Sequence, residues 1–255
     1  MTNHDHAKKC ILNTRCRLAG TSECTRFCPS YIVMHGINGT GGKVYMSDVP
    51  PAYRNITAAT SPVREDQPEV YEIVDAYVET FSRIFEVDAE PVKSLYLFSR
   101  SPGTGKTTTA VAIMHEYLIR YYIECRKRGI PIQDRPVYFL SVNGWQSLYN
   151  EFNRSRVPEY IAELAAESYY QKMSTAKTVD FVVLDDIGVR DASDAFRADL
   201  HEIIDARITN ELPTVYTSNI PLDELKYVYD ERLADRIRDR CVDVHFEGTS
   251  KRGMR

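Results

Sequence analysis

The chain predicts an α/β fold in which a parallel five-stranded sheet is flanked by helices and preceded by a small cysteine-rich module. Three observations carry that expectation. Short runs that are apolar throughout alternate with segments of helical spacing, the pattern of a sheet buried on both faces. A glycine-containing turn separates the first such run, residues 95–98, from a long helical pattern. An acidic pair, Asp185-Asp186, closes a later apolar run, residues 181–184.

The N-terminal part differs from the rest. Cys10, Cys16, Cys24 and Cys28 lie within nineteen residues, whereas Cys125 and Cys241 stand alone. The polar start, residues 1–9, lacks the apolar region of a secretion signal, so a reducing, cytoplasmic setting is expected, where structural disulfides are rare. Four thiolates in a segment too short for a core are what a structural zinc site uses. The spacings C-x5-C and C-x7-C-x3-C are looser than paired C-x2-C knuckles. His4, His6 and His35 are substitute ligands, and four unliganded thiols in a mobile arm are the alternative. Six basic residues against three acidic ones give residues 1–48 a charge of +3 within a chain of net charge −4, which marks a separate contact surface.

Residues 36–43 imitate a phosphate loop, but Val44 follows the lysine where a hydroxyl is needed. The flanks, residues 31–34 and 43–46, read as two short strands of a hairpin. Proline and polar residues without periodicity then run from Pro50 to Pro68. The expected organisation is a cysteine-rich module over residues 1–48, a linker over 49–68 and a main domain over 69–255.

Within the main domain, Val70, Val74, Tyr77, Val78, Phe81, Ile84 and Phe85 recur at helical spacing. Residues 95–98 form the first strand, and Ala110, Ile113, Met114, Tyr117, Leu118 and Tyr121 mark one face of the following helix. A second strand is expected over 137–142, two helices over 144–152 and 159–172, and a third strand over 181–184. Phe196, Leu200, Ile203, Ile204 and Ile208 make another helix face. A fourth strand at 214–217, a helix over 222–240 and a fifth strand at 242–246 complete the pattern.

The turn reads Ser99-Arg100-Ser101-Pro102-Gly103-Thr104-Gly105-Lys106-Thr107-Thr108. It fits G-x-x-x-x-G-K-[ST] except that Arg100 stands at the first glycine. Glycines there let backbone N–H groups turn toward phosphate oxygens, and the new helix aims its positive end at the same charge. Lys106 is placed to reach the β- and γ-phosphates and Thr107 to hold Mg²⁺. A nucleoside triphosphate is therefore the expected ligand; the alternative is a strand-to-helix turn with a surface lysine.

Ligands of such sheets bind beyond the carboxyl ends of the strands. Asp185 is accordingly expected to orient Mg²⁺ and Asp186 to position or deprotonate the attacking water. The strand before Asn219 ends at the same edge, where its amide is placed to bond the water or the γ-phosphate, while Thr217 and Ser218 are expected to satisfy local backbone groups. The stretch 231–240 distributes arginines over several faces of a helix, which composition alone assigns to surface ion pairs.

Composition limits the classes. With 255 residues and 43% hydrophobic content the chain can build a real core. The acidic balance argues against a general nucleic-acid coat. No stretch approaches the roughly 18 continuous apolar residues of a membrane span.

Phosphate loop, acidic pair, a strand ending in Thr-Ser-Asn and then an Arg-rich helix together resemble the AAA+ ATPases. In particular they resemble the DnaC/DnaI-type replicative helicase loaders and the related IstB transposition ATPases. The resemblance covers residues 49–255. Val49-Pro50-Pro51-Ala52-Tyr53-Arg54 is similar to the segment that precedes the family's ATPase core, and Leu184-Asp185-Asp186-Ile187-Gly188 resembles its Walker B segment. Residues 212–219 resemble its sensor 1 strand, and residues 231–238 its box VII. The likeness implies that Arg236 is an arginine finger offered to ATP in a neighbouring subunit. Ser250-Lys251-Arg252 resembles the sensor 2 segment, with Lys251 where an aromatic is usual, and implies that Arg252 contacts nucleotide.

The cysteine module resembles in position and role the zinc-bearing, helicase-binding domain of DnaI-type loaders, with different spacing. The family thus implies an ATPase that uses ATP, Mg²⁺ and Zn²⁺, self-associates through its ATP sites, binds a hexameric replicative helicase and delivers it to single-stranded DNA. The small size resembles phage-encoded or bacterial loaders. In such proteins the insert with Trp145, Tyr149, Phe152, Arg154 and Arg156 offers aromatic and basic groups to single-stranded DNA, although Trp145 and Phe152 also fit a core. Other classes remain open. A transposition helper would carry a more basic helical extension, a small-molecule P-loop kinase would need a substrate lid and no intersubunit arginine, and an adaptor that never hydrolyses ATP would not need Asp186.

Overall fold

A computed structural model describes residues 3–188 and 192–250. The chain divides into two compact units, one of residues 1–89 with 111–138 and one of residues 90–110 with 139–255.

The first unit begins with helix α1 (Asn3–Lys8), and tight turns carry the four cysteines up to helix α2 (Pro29–His35). Helix α3 (Gly42–Met46) follows. The two strands of the expected hairpin are therefore helices. Pro29 at the first helical position pre-sets a helical φ, and Gly36 ends the helix at φ +71°. The glycines between serve close packing, because a Cβ on Gly42 would lie 2.5 Å from the Met34 carbonyl carbon.

After helix α4 (Pro68–Glu79) and a short 3₁₀ turn (Thr80–Arg83), this unit takes up residues 111–128 of a long helix. Its aromatic core runs through Tyr77, Phe81 and Tyr117, with ring centroids 5.2 Å apart at each step. Polar contacts tie the N-terminal residues to that helix. His115 Nδ1 lies 2.6 Å from the Ile56 carbonyl, the Ala58 amide donates to Glu116 at 3.1 Å, and the Tyr122 hydroxyl donates to Ser30 at 2.8 Å.

The second unit holds strand β1 (Ser94–Phe98) and the first turn of helix α5 (Lys106–Arg128). Strand β2 (Val137–Ser141) passes directly into helix α6 (Val142–Phe152), because Ser141 caps it by accepting the Gly144 amide. Helix α7 (Glu159–Thr178), strand β3 (Phe181–Ile187), helix α8 (Asp194–Thr209) and strand β4 (Thr214–Ser218) follow. Where one helix over 222–240 is expected, the chain makes a 3₁₀ turn (Leu222–Glu224), a short α9 (Leu225–Val228) and α10 (Glu231–Arg240). The break has a local cause: Asp230 is extended and its carboxylate accepts the Leu233 amide at 2.8 Å, starting a new helix. Strand β5 (Cys241–His245) ends the sheet.

The sheet order is β2-β3-β4-β1-β5, and β1 pairs in parallel with both β4 and β5, as β3 does with β4. That order brings the carboxyl ends of β1, β3 and β4 side by side. Every residue of β1 and β4 is buried, as expected of central parallel strands. Trp145 belongs to the core of this unit. It stacks on Tyr169 with centroids 4.6 Å apart, and its indole donates to the Tyr169 carbonyl at 3.1 Å. Among the described residues no helix is long and apolar enough to cross a membrane.

Candidate functional site

The site forms where β1 gives way to α5. Gly103 and Gly105 sit at φ +73° and +107°, conformations that cost other residues dearly. Arg100 is not among the left-handed residues, so the missing first glycine strains nothing. Its guanidinium turns to Glu224 Oε1 at 2.6 Å. Pro102 is exposed and Thr108 buried.

Lys106, only 5% exposed, donates to Asn219 Oδ1 at 2.7 Å and to the carbonyls of Ser101 and Ser99 at 3.2 and 3.4 Å. The first turn of α5 holds no acidic residue, which leaves its positive end suited to an anion. Thr104 is buried, and its hydroxyl has no hydrogen-bond partner among the described residues. A buried hydroxyl left unpaired is costly, and an acceptor-rich phosphate would satisfy it. These residues fit a triphosphate.

Asp185 lies at the adjacent strand end. Its Oδ1 accepts from Thr107 at 2.8 Å and from Thr217 at 2.8 Å. Burial, and next the charge of Asp186, push its carboxyl up to about 6, against the pull of the Thr217 and Thr107 hydroxyls and of Lys106. A buried carboxylate beside a second one and a threonine hydroxyl is a donor set that suits Mg²⁺, whose charge offsets both costs. Asp186 is half-buried and left-handed, at φ +59°. Thus Lys106, Thr107, Asp185 and Asn219 meet at one rim.

Other expected residues stand elsewhere. Arg236 on α10 is about one-third exposed and forms an ion pair with Asp205 of α8. Arg252 lies outside the described residues. The cysteines Cys10, Cys16, Cys24 and Cys28 are free and partly exposed. Burial raises the Cys10 thiol to about 11, with a smaller push from the charges of the other three. Among the described residues no group of three or more His, Cys, Asp or Glu is arranged to hold a metal ion, so the expected zinc site has no counterpart in this geometry.

Two functional contacts escape sequence reasoning. Thr217 bonds Asp185 and the Asp186 amide rather than only its own neighbourhood, whereas Ser218 does serve local backbone at Ile187 and Ile220. Asp205 is an unremarked helix residue until folding places it against Arg236. No spacing rule announces either, because both depend on which strands and helices become neighbours.

Comparison with known proteins follows the same line. Residues 155–253 match the family of the IstB-like ATP binding protein. The replicative helicase loader DnaC of Escherichia coli strain K12 is 27% identical over 143 residues, 56% of this chain and 49% of the loader. The replicative helicase loader DnaI of Bacillus subtilis strain 168 is 25% identical over 177 residues, 63% of this chain and 48% of that loader. The chain spans about half the length of these curated relatives. Among solved structures, a DnaC helicase loader superposes with a TM-score of 0.53 at 21% identity, covering 78% of this chain and all of that one. AMPPCP-bound DnaA from Aquifex aeolicus superposes with a TM-score of 0.52 at 20% identity, covering 78% of this chain and 51% of DnaA. The expected AAA+ type of fold is the one the chain adopts, and the likeness to IstB-type ATPases and to DnaC/DnaI loaders read from the motifs holds.

Proposed function

We propose that the chain is a cytoplasmic, ATP-hydrolysing loader that binds a replicative DNA helicase and delivers it onto single-stranded DNA. The observation that supports this most directly is the meeting of Lys106, Asn219, Thr107 and Asp185 at one sheet rim, in a chain related to two replicative helicase loaders.

Pro102 to Thr108 would cradle the phosphates, with Thr104 donating its unpaired hydroxyl and Lys106 exchanging its carbonyl partners for phosphate oxygens. Thr107 and Asp185 would hold Mg²⁺, which neutralises developing charge when bound. Asp186 positions or deprotonates the attacking water, and Asn219, already fixed by Lys106, orients it. Arg252 would add a contact to nucleotide. Arg236 faces Asp205 in its own chain, so as a finger it serves a neighbouring subunit, and hydrolysis then depends on self-association into a ring or spiral.

Residues 1–48 form a module for a hexameric helicase, in which Zn²⁺ would have to draw Cys10, Cys16, Cys24 and Cys28 together; their crowding into nineteen residues of sequence is what supports the reading. Exposed Tyr160 and Tyr170 on α7 are suited to stacking on single-stranded DNA. In this organisation residues 49–68 link the module to an ATPase domain of residues 69–255.

The test combines ATP hydrolysis by the full chain with capture of the host replicative helicase, in wild type and in Asp186→Asn. Trapped ATP together with retained helicase is expected for the variant. Wild-type hydrolysis by Asp186→Asn would overturn the site assignment, and zinc well below one equivalent per chain would remove the metal from the module. A transposition helper is the second reading, favoured by the match of residues 155–253 to the IstB-like family; recovery of a transposase in place of a helicase would select it.

A further inference from the structure

Strands β3 and β4 lose their regular register where the acidic pair lies. Leu184 stands opposite Tyr216 and Ile187 opposite Ser218, so Asp185 and Asp186 together face Thr217 alone. That is a β-bulge: one residue too many on one strand, with a ladder amide left over. The surplus amide belongs to Asp186, whose φ of +59° breaks the alternation of side chains along the strand.

The Thr217 hydroxyl occupies this gap. It accepts the Asp186 amide at 2.9 Å and donates to Asp185 Oδ1 at 2.8 Å. A hydroxyl has one proton and two lone pairs, so both bonds form at once, which no aliphatic side chain of that size can do. Thr217 is fully buried, where a hydroxyl is costly unless paired. Asp185 Oδ1 thereby sits between two threonine hydroxyls, one from the phosphate loop and one from β4.

We propose that Thr217 is a positioning residue for ATP hydrolysis: its single hydroxyl sets the direction of the Asp185 carboxylate toward Thr107 and holds the left-handed backbone that presents Asp186. The proposal rests on the ATPase reading of the same rim. Removing such outer partners of a metal-ligating carboxylate costs about 10- to 100-fold in metal affinity or activity.

The experiment uses the full-length protein with Thr217→Val, which keeps the shape and deletes the hydroxyl, and Thr217→Ser, which keeps the hydroxyl. For Thr217→Val, kcat is expected to fall 10- to 100-fold and half-saturating Mg²⁺ to rise, while binding of ATP without Mg²⁺ changes less than about 2-fold. Hydrogen exchange of the Asp186 amide in nucleotide-free protein is expected to accelerate in Thr217→Val alone. Thr217→Ser is expected to restore all of these. If Thr217→Val does not fold, Thr217→Ala removes the same hydroxyl without bulk and is read identically. Wild-type kcat, Mg²⁺ dependence and amide exchange in the hydroxyl-free variant would overturn the proposal, as would a Thr217→Ser protein as impaired as Thr217→Val. A wild-type protein that neither takes up Mg²⁺·ATP nor hydrolyses it would instead sink the ATPase reading itself.

Discussion

The rim of the sheet and helix α10 both present charged side chains that the proposed chemistry needs, yet they hold them in opposite ways. At the rim, Lys106 and Asp185 are buried and held by hydrogen bonds to the loop after β1, to β4 and the residue that follows it, and to α5. On α10 the arginines keep contact with water. Arg238 pairs with Asp223 at 3.1 Å and Asp235 at 3.6 Å, Arg240 approaches Glu211 at 4.0 Å, and Arg236 holds Asp205. Buried charges held by neighbouring hydrogen-bond partners are pre-organised for a ligand that enters one chain. Half-exposed ion pairs are weak, so their arginines can be given to another molecule at little cost.

The strongest way to break that comparison is to remove a charge from each region. Lys106→Ala is expected to lower ATP affinity by at least about 10²-fold, measured by calorimetry, because it deletes a buried cation held at the rim by Asn219. Arg236→Ala is expected to leave ATP binding intact, lower the turnover of the assembled protein by about 10³-fold and change thermal stability by less than about 1 kcal/mol. Unchanged turnover of the assembled protein, with the same small change in stability, would return Arg236 to an ordinary surface pair.

The rim should also show its tension in the absence of nucleotide. Asp185 carries a folded-state carboxyl raised from 3.8 to about 6. The folded protein therefore binds this proton more readily than the unfolded chain, and stability falls as pH rises from about 4 through 6. Asp185→Asn is expected to flatten that decline in melting curves without nucleotide and to abolish Mg²⁺-dependent ATP binding. A pH profile identical to wild type would show that the carboxylate is not under strain.

The smallest expected effect lies on the far side of α10's neighbour. Glu211, just beyond the Asn210 cap of α8, adopts φ +54° while the Leu212 amide closes onto the Arg207 carbonyl at 2.9 Å. Glycine is favoured at such a position. Glu211→Gly is expected to raise stability by about 0.5–1 kcal/mol in denaturant titration, because the Arg240 contact it gives up is long and exposed.

How far the sequence reaches can be judged residue by residue. The five strands and the helices behind them follow from apolar runs and helical spacing, because burial on both faces of a parallel strand leaves no other pattern. Residues 31–46 mislead, since four-residue apolar runs suit strand and helix alike and only the close approach of Gly42 to Met34 settles the choice. The helix expected over 222–240 breaks at Asp230 because an N-cap is as short as a single side chain. Lys106, Thr107, Asp185 and Asn219 were legible because phosphate chemistry demands fixed residue types at fixed places along the chain.

What the sequence determined by itself, then, is the type of sheet, the phosphate loop and the acidic strand end, all of them local patterns written in one stretch of chain. Tertiary structure alone decided that Thr217 would bridge the acidic pair, that Arg236 would rest on Asp205, and that the glycines after α2 would pack helices. Each of these joins residues far apart in the chain, where contact depends on strand order and register, and no local spacing encodes it.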